Sequence, residues 1–315
     1  MKVGLHIGKF DWEVNPENIR NKLVEIIQTA EKNNFFSFWV MDHLFQLGTQ
    51  YGTIHGPIYA PMLEGYSTIA FLAALSNKIK LGIQVTCNFF RNPGLLIKII
   101  STIDVLSGGR TYFGIGAGWF KQEARGLGIQ FPSLNERFER LEETLAIAKH
   151  MWKGERKPYN GQYYKLKKPI NRPQPISKPH PPILIGGSGE KKTLRLVAKY
   201  GDACNIVIGT SLKEAGVLYR EDINWNQWIE YTKKKLAILK NHCKDLERPY
   251  HEIEKTITTY IKIAPDAMDV EDVIRICQIF ANIGIQHIIF NMPNVHEITP
   301  LEIMGKKVIP KVDKF

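Results

Sequence analysis

Leu95-Leu96-Ile97-Lys98-Ile99-Ile100-Ser101-Thr102-Ile103-Asp104-Val105-Leu106-Ser107-Gly108-Gly109-Arg110-Thr111-Tyr112-Phe113-Gly114-Ile115 holds one full period of the pattern that decides the fold. Leu95 to Leu106 reads as a helix that stops at Ser107-Gly108-Gly109, because glycine accepts the backbone conformation that ends a helix. Thr111 to Ile115 then reads as a short strand, and its residues favour a pleated surface. The same alternation runs outward in both directions.

Toward the N-terminus, Val3–Gly8 is expected as the first strand. Asn15 should cap a helix that begins at Pro16, since proline lacks only a donor that a helix start leaves unused. Ile19, Leu23, Ile26 and Ala30 give that helix one apolar face. Phe38–Met41 is strand two, a helix follows around Thr68–Leu75, and Ile79–Val85 is strand three. Toward the C-terminus, Ser133-Leu134-Asn135-Glu136 has the form of a capping box, and Phe138, Leu141, Leu145, Ala148 and Trp152 form a buried stripe behind it. Strands are expected at Ile183–Ile185, Cys204–Ile208, Ile257–Ile263 and His287–Phe290. Helices follow through Leu194 and Val197, at Trp228–Leu239, at Val270–Ala281 and near Leu301–Met304. Eight strand–helix units in order predict an α/β fold, a single (β/α)8 TIM barrel over residues 1–315 with long insertion loops. A doubly wound open sheet is the alternative, and eight regular repeats with no second composition zone count against it. The two long connections are Gln46–Leu63, a candidate lid, and the proline-rich Lys153–Pro182.

Composition narrows the function. The chain has 315 residues, 44% hydrophobic and 23% charged, ordinary for a globular protein with a large core. No apolar run is long enough for a transmembrane helix, so no membrane partner is expected. The first residues are too short and polar a stretch for a secretory signal. Cys87, Cys204, Cys243 and Cys277 form no CxxC pattern, which predicts a reducing compartment, the cytoplasm. The net charge of +11 is spread along the chain, with short clusters at Lys233–Lys235 and Lys306–Lys307, and reads as solvated helix faces. No zinc finger or RNP box is present, so no nucleic-acid partner is expected.

In a barrel, chemistry sits at the C-terminal ends of the strands. Strand two ends in Asp42-His43, and a histidine there can act as general acid or base near neutral pH. The bland alternative is a histidine bonded to a neighbouring loop. Strand three ends in the polar run Gln84-Val85-Thr86-Cys87-Asn88, either a ligand rim or a plain strand-to-loop transition. Strand four ends in Gly114-Ile115-Gly116-Ala117-Gly118-Trp119, where glycines let backbone approach a flat ligand. The dinucleotide fingerprint is absent, since Lys121 follows Phe120. Strand five runs into Gly186-Gly187-Ser188-Gly189-Glu190-Lys191-Lys192-Thr193 and then a helix. Free N–H groups and a positive dipole end make this a candidate anion site, against a tight turn that simply needs glycine. It is not a Walker A loop, because Glu190 follows Gly189. No HExxH occurs, and His6 is followed by Ile7 and Gly8 and not by a second histidine two residues on, so no metal site is expected.

These stretches together resemble the bacterial luciferase-like superfamily, in its branch of coenzyme F420-dependent oxidoreductases. The likeness rests on Phe38-Trp39-Val40-Met41-Asp42-His43, Pro61-Met62-Leu63-Glu64-Gly65-Tyr66, Arg91-Asn92-Pro93, Asp104-Val105-Leu106-Ser107-Gly108-Gly109-Arg110, Gly114–Trp119, Glu136-Arg137-Phe138-Glu139-Arg140-Leu141-Glu142-Glu143 and Pro181–Gly189. It becomes generic after Gly209. The resemblance implies hydride transfer between F420 and a small organic substrate, with His43 as acid or base and Asp42 beside the deazaflavin ring. Val85 and Thr86 match a segment that often carries a non-proline cis peptide under that ring. Gly116, Ala117 and Gly118 would line the cofactor, and Gly186, Gly187, Ser188 and Gly189 would hold its phosphate. An FMN-dependent monooxygenase and a non-catalytic flavin or deazaflavin binder are the rival readings, with FMN as the alternative cofactor. Relatives of this kind often form homodimers. In one place the chain departs from the pattern. Trp119 stands where the sugar-phosphate dehydrogenases of the branch carry a carboxylate, which argues against a His–carboxylate pair and a sugar-phosphate substrate.

Overall fold

The computed structural model describes residues 1–12, 15–48, 55–209, 225–265 and 267–315. Its elements alternate as the sequence demands: β1 (Lys2–Ile7), α1 (Pro16–Lys32), β2 (Ser37–Val40), α2 (Gly65–Ala74), β3 (Lys80–Ile83), β4 (Thr86–Cys87), α3 (Pro93–Leu106), β5 (Thr111–Gly116), α4 (Lys121–Gly126) and α5 (Leu134–Trp152). A two-stranded antiparallel hairpin, β6 (Tyr159–Asn160) and β7 (Lys165–Leu166), fills part of the proline-rich connection. Then come β8 (Ile183–Gly186), α6 (Thr193–Tyr200), β9 (Ala203–Val207), α7 (Trp225–Asp245), β10 (Glu254–Tyr260), α8 (Val270–Asn282), β11 (His287–Asn291), α9 (Thr299–Ile303) and α10 (Ile309–Val312).

The sheet runs β3-β2-β1-β11-β10-β9-β8-β5-β4, and β3 pairs back to β5. That last pairing closes the ring, and all its ladders are parallel. The result is the (β/α)8 TIM barrel, with β3 and β4 as two pieces of one strand position. Asn15 caps α1 with its side chain on the Glu17 N–H, and Pro16 opens the helix. Ile19, Leu23, Ile26 and Ala30 are all buried.

The Ser107-Gly108-Gly109-Arg110 turn works at the bottom of the barrel. Gly108 and Gly109 take φ of 70° and 80°, values open to glycine at little cost. They swing Arg110 under the ends of two helices. Its guanidinium is buried and donates to the carbonyls of Ala73, Ser76, Ile79 and Ser107. One cation thereby satisfies helix-end carbonyls that would otherwise be orphaned.

Most element bounds shift by one to three residues from the sequence reading, and three differences stand out. Strand three stops at Ile83 and resumes at Thr86, and the Ile83 carbonyl oxygen there occupies the space where a side chain on Gly114 would begin. Strand seven is Glu254–Tyr260 and not Ile257–Ile263, since Thr256 and Thr258 carry a buried polar network with Asn205 on β9. Helix α7 extends beyond Trp228–Leu239 at both ends. Of the candidate lid, residues 49–54 lie outside the described residues. Among the described residues, no helix is long and apolar enough to cross a membrane.

Candidate active site

A cavity of about 690 Å³ opens at the C-terminal ends of the strands. This is within the usual size of a small-molecule site. Every barrel strand position except that of β11 sends residues to its lining.

His43 follows β2. Its Nδ1 lies 2.8 Å from Glu123 Oε1, and the other Glu123 oxygen accepts the Leu44 N–H at 2.7 Å. Glu123 is buried on the single turn of α4, and the edges of Trp119 and Phe120 flank the imidazole. A carboxylate accepts only, so Nδ1 carries the proton and Nε2 is the acceptor nitrogen. The expected loss of a His–carboxylate pair is therefore overturned. Trp119 holds no charge, but Glu123 supplies the carboxylate from one helical turn further on. A carboxylate on the first turn after the Gly116–Trp119 run was the available signal.

Asp42 lines the cavity, but its oxygens are engaged. Arg91 binds both at 2.8 and 2.9 Å, and the Cys87 N–H donates to Oδ2 at 2.9 Å. Burial pushes the Asp42 carboxyl up, against the pull of the guanidinium. Arg91 also reaches Glu64 and lies 4.7 Å above the Tyr66 ring. This cluster fastens the end of β2 to β4 and so fixes the start of the His43 segment. Thr86 is fully buried and bonds Tyr66 Oη at 2.6 Å, so it lies beneath the cavity and not in its lining.

Val85 follows a cis Gln84–Val85 peptide and stands in the cavity wall. A β-carbon on Gly116 would come within 2.8 Å of Val85, and one on Gly186 within 2.7 Å. These glycines keep a flat surface around one aliphatic bulge. Ala117 and Gly118 continue it, and Gly118 has φ of 72° with Cys87 and Phe89 pressed behind it. Burial pushes the Cys87 thiol up, so it is neutral.

Gly186, Gly187, Ser188 and Gly189 line the opposite side of the ring of strands, before α6. No side chain caps α6, its Leu194 N–H donates to the Gly189 carbonyl at 3.0 Å, and Thr193 at its first position lines the cavity. Lys192 donates to Asn135 at 2.8 Å, above the cavity-lining Phe138. Glu190, close by, is held by Lys234 and Lys235. Arg137 adds a cation to this side. It donates to the Gly118 carbonyl, while its buried Nε has no partner.

Two further lining residues, His6 and His55, were missed from sequence, and Gln84 of the polar run after strand three also lines the cavity. His6 ends β1 and lies 3.0 Å from the Asn291 amide, and burial pushes it down to about 3. His55 stands on the segment that follows residues 49–54, and burial pushes it down to about 4. Gln84 carries a side-chain amide with neither oxygen nor nitrogen partnered. Among the described residues no cluster of three His, Cys, Asp or Glu side chains is arranged to hold a metal.

This architecture has known counterparts. Across 97% of this chain and 98% of the relative, the sequence is 25% identical to an F420-dependent glucose-6-phosphate dehydrogenase of Microbacterium testaceum. A shorter match, 35% identical over 31% of this chain and 27% of the relative, is to an FMNH(2)-dependent dimethylsulfone monooxygenase of Pseudomonas putida. An F420-dependent secondary alcohol dehydrogenase, solved in complex with an F420-acetone adduct, has the same fold with a TM-score of 0.77, at 17% identity, covering 99% of this chain and 98% of that one. Residues 5–221 match the family described as luciferase-like monooxygenase, and the chain belongs to that family.

Proposed function

We propose that this protein is an F420-dependent oxidoreductase that transfers a hydride between the cofactor and a small organic substrate. The observation that carries the reading is the His43–Glu123 pair at the cavity wall, set across the barrel from the Gly186–Gly189 turn. One side can handle a proton and the other can bind an anion. F420 supplies the hydride chemistry when bound. The residues present fit such a group. Gly116, Ala117 and Gly118 leave room for a flat ring beside Val85. The start of α6 and Arg137 suit its phosphate, and Arg137 Nε would gain the acceptor it lacks. His43 would take the substrate proton at Nε2 or return it there, while Glu123 holds the ring and stabilises its protonated form. Asp42 would act at one remove, by fixing the chain that carries His43.

The full-length likeness to an F420-dependent dehydrogenase supports this cofactor over FMN. The partial match to an FMNH(2)-dependent monooxygenase keeps FMN as the rival. Fluorescence titration of apo protein with each cofactor at low and high salt decides between them. F420 should bind more tightly and lose more affinity with salt, because its longer anionic tail is partly exposed and screened. Tighter FMN binding together with oxygen uptake would establish the monooxygenase reading. Cofactor binding without any turnover would favour a plain binding protein. We also expect a homodimer in the cytoplasm, and sedimentation measures the first of these directly.

A further inference from the structure

We infer that the histidine side of the cavity seats an uncharged alcohol or carbonyl group, and that His55 donates a hydrogen bond to the oxygen whose proton His43 handles. The inference rests on the proposed hydride transfer for its chemistry. It rests on the cavity alone for its ligand.

His55 is 7% exposed and lines the cavity. Its place is fixed from the neighbouring chain. The Gly56 N–H donates to Gln46 Oε1 at 3.3 Å, and the Gln46 amide in turn donates to the Pro61 carbonyl at 2.8 Å. Gln46 itself is fully buried. His55 Nδ1 is buried with no partner. An orphaned N–H costs more than an orphaned lone pair, so the proton belongs on Nε2. His55 then offers a donor. His43 offers the reverse, because Glu123 holds its proton on Nδ1 and leaves Nε2 as an acceptor. The two rings, with His6, are close enough to disfavour one another's protonation. One neutral donor and one acceptor in the lining of the same cavity match a hydroxyl, which gives one proton and accepts another.

The charges around this side exclude anions. Among the described residues, the carboxylates are Asp11, Asp42, Glu64 and Glu123, against the cations Lys9 and Arg91. Lys9 is paired with Asp11 at 3.3 Å, and Arg91 is shared between Asp42 and Glu64. Negative charge is in excess, and burial keeps His6 and His55 neutral. A carboxylate or phosphate on the substrate would face that excess with no free cation among these groups. The cavity is thus polarised, with the anion side at Gly186–Gly189 and Arg137 kept for the cofactor.

In the oxidative direction, the carbinol C–H bond would break and its electron pair would leave as hydride to the oxidised cofactor. The hydroxyl proton passes to His43 Nε2, and the C–O bond becomes C=O. In reverse, the carbonyl carbon would receive a hydride from the reduced cofactor, His43 would return the proton to the oxygen, and the His55 N–H would polarise the carbonyl throughout.

The test uses histidine-selective 15N spectra of the purified protein with 2-butanol or with lactate at equal concentration. 2-Butanol should move the His55 imidazole signal, assigned by its loss in His55→Ala, and lactate should not. Equal shifts with both, or no shift with 2-butanol, overturn the inference. With F420-loaded protein, His55→Ala should lose about 10²-fold in kcat/KM for 2-butanol, as for loss of one hydrogen bond to a reacting oxygen. His55→Gln, which restores an amide N–H near the Nε2 position, should recover most of that loss. A His55→Ala protein as active as wild type also overturns it. Failure to bind F420 would sink the cofactor assignment alone, since the spectra need no turnover.

Discussion

Replacing Glu123 by Gln removes one charge and almost no volume, so it isolates what the carboxylate does for His43. The two groups are 2.8 Å apart, and the Glu123 side chain is 2% exposed, so water screens the pair little. As His43 takes the substrate proton it becomes a cation beside that carboxylate. At an effective dielectric of about 20 and a charge separation of about 4 Å, their attraction is about 4 kcal/mol. A charge-assisted hydrogen bond valued by mutation gives about 1.5–3 kcal/mol. The two estimates bracket a loss of about 1.5–4 kcal/mol, or about 10- to 1000-fold in kcat/KM at ~1.4 kcal/mol per factor of ten. A second effect adds to the first. Glu123 accepts from both His43 and Leu44, whereas glutamine has one accepting oxygen. If the amide nitrogen turns to His43, the proton moves to Nε2 and the working nitrogen is blocked.

The assay is steady-state turnover followed by the visible absorbance of the oxidised cofactor, with cofactor affinity measured by titration and folding by circular dichroism. Affinity should stay within a few-fold. His43→Ala should lose about 10²–10⁴ in rate. The double variant should be no slower than His43→Ala, because groups acting as a unit do not add. Full turnover in a folded Glu123→Gln protein, with His43→Ala inactive, would show that the carboxylate only packs and would refute the reasoning.

Three other outcomes follow from the geometry. Gly187 has φ of 114°, so Gly187→Val should distort the anion turn and weaken cofactor binding while leaving the barrel folded; unchanged affinity by titration moves the phosphate site elsewhere. Gly114→Ala drives a methyl group into the Ile83 carbonyl and should cost about 1–3 kcal/mol or more in urea unfolding, whereas Gly116→Ala meets only the Val85 side chain and should cost less. Burial holds His6, His55 and His287 down to about 3, 4 and 4, against an ordinary value of 6.5. The unfolded chain therefore binds more protons below that value, and stability should fall as pH drops from about 6.5 toward 4, by up to ~3 kcal/mol for each group near 4. Urea midpoints measured across this range for wild type and for His287→Gln check it, since the variant should show a shallower slope.

The parts legible in the sequence were those whose cause is local. A helix ends at Gly108 and Gly109 because of backbone freedom, α1 starts at Asn15-Pro16 because of capping, and strands read as β-branched runs. Strand-end logic then placed His43, Gly116–Gly118 and Gly186–Gly189 around one cavity, since a barrel brings all strand ends to one rim. Roles set by distant partners were not legible. Asp42 lay where the strand rule put it, yet its oxygens go to Arg91, a residue beyond the next strand, so its work is to hold β2 against β4. Thr86 sits next to Val85 in sequence and points the other way, as successive strand residues do.

His55 and Glu123 show the same limit from the opposite side. Neither lies at a strand end. Glu123 stands on a short helix and reaches His43 from there, while Trp119 and Phe120 pack at steep angles against the imidazole. The tryptophan that replaces the expected carboxylate therefore does not delete the charge. It fills the position beside the histidine with an aromatic wall, and the carboxylate arrives from the next turn. The residue directly after a glycine run is thus a poor guide to the chemistry, because a turn of helix is enough to bring a carboxylate to the histidine. What changes is the space beside the imidazole, where Trp119 now stands. That face is where Trp119 departs from the carboxylate expected there, while the His43–Glu123 pair keeps a carboxylate on the imidazole.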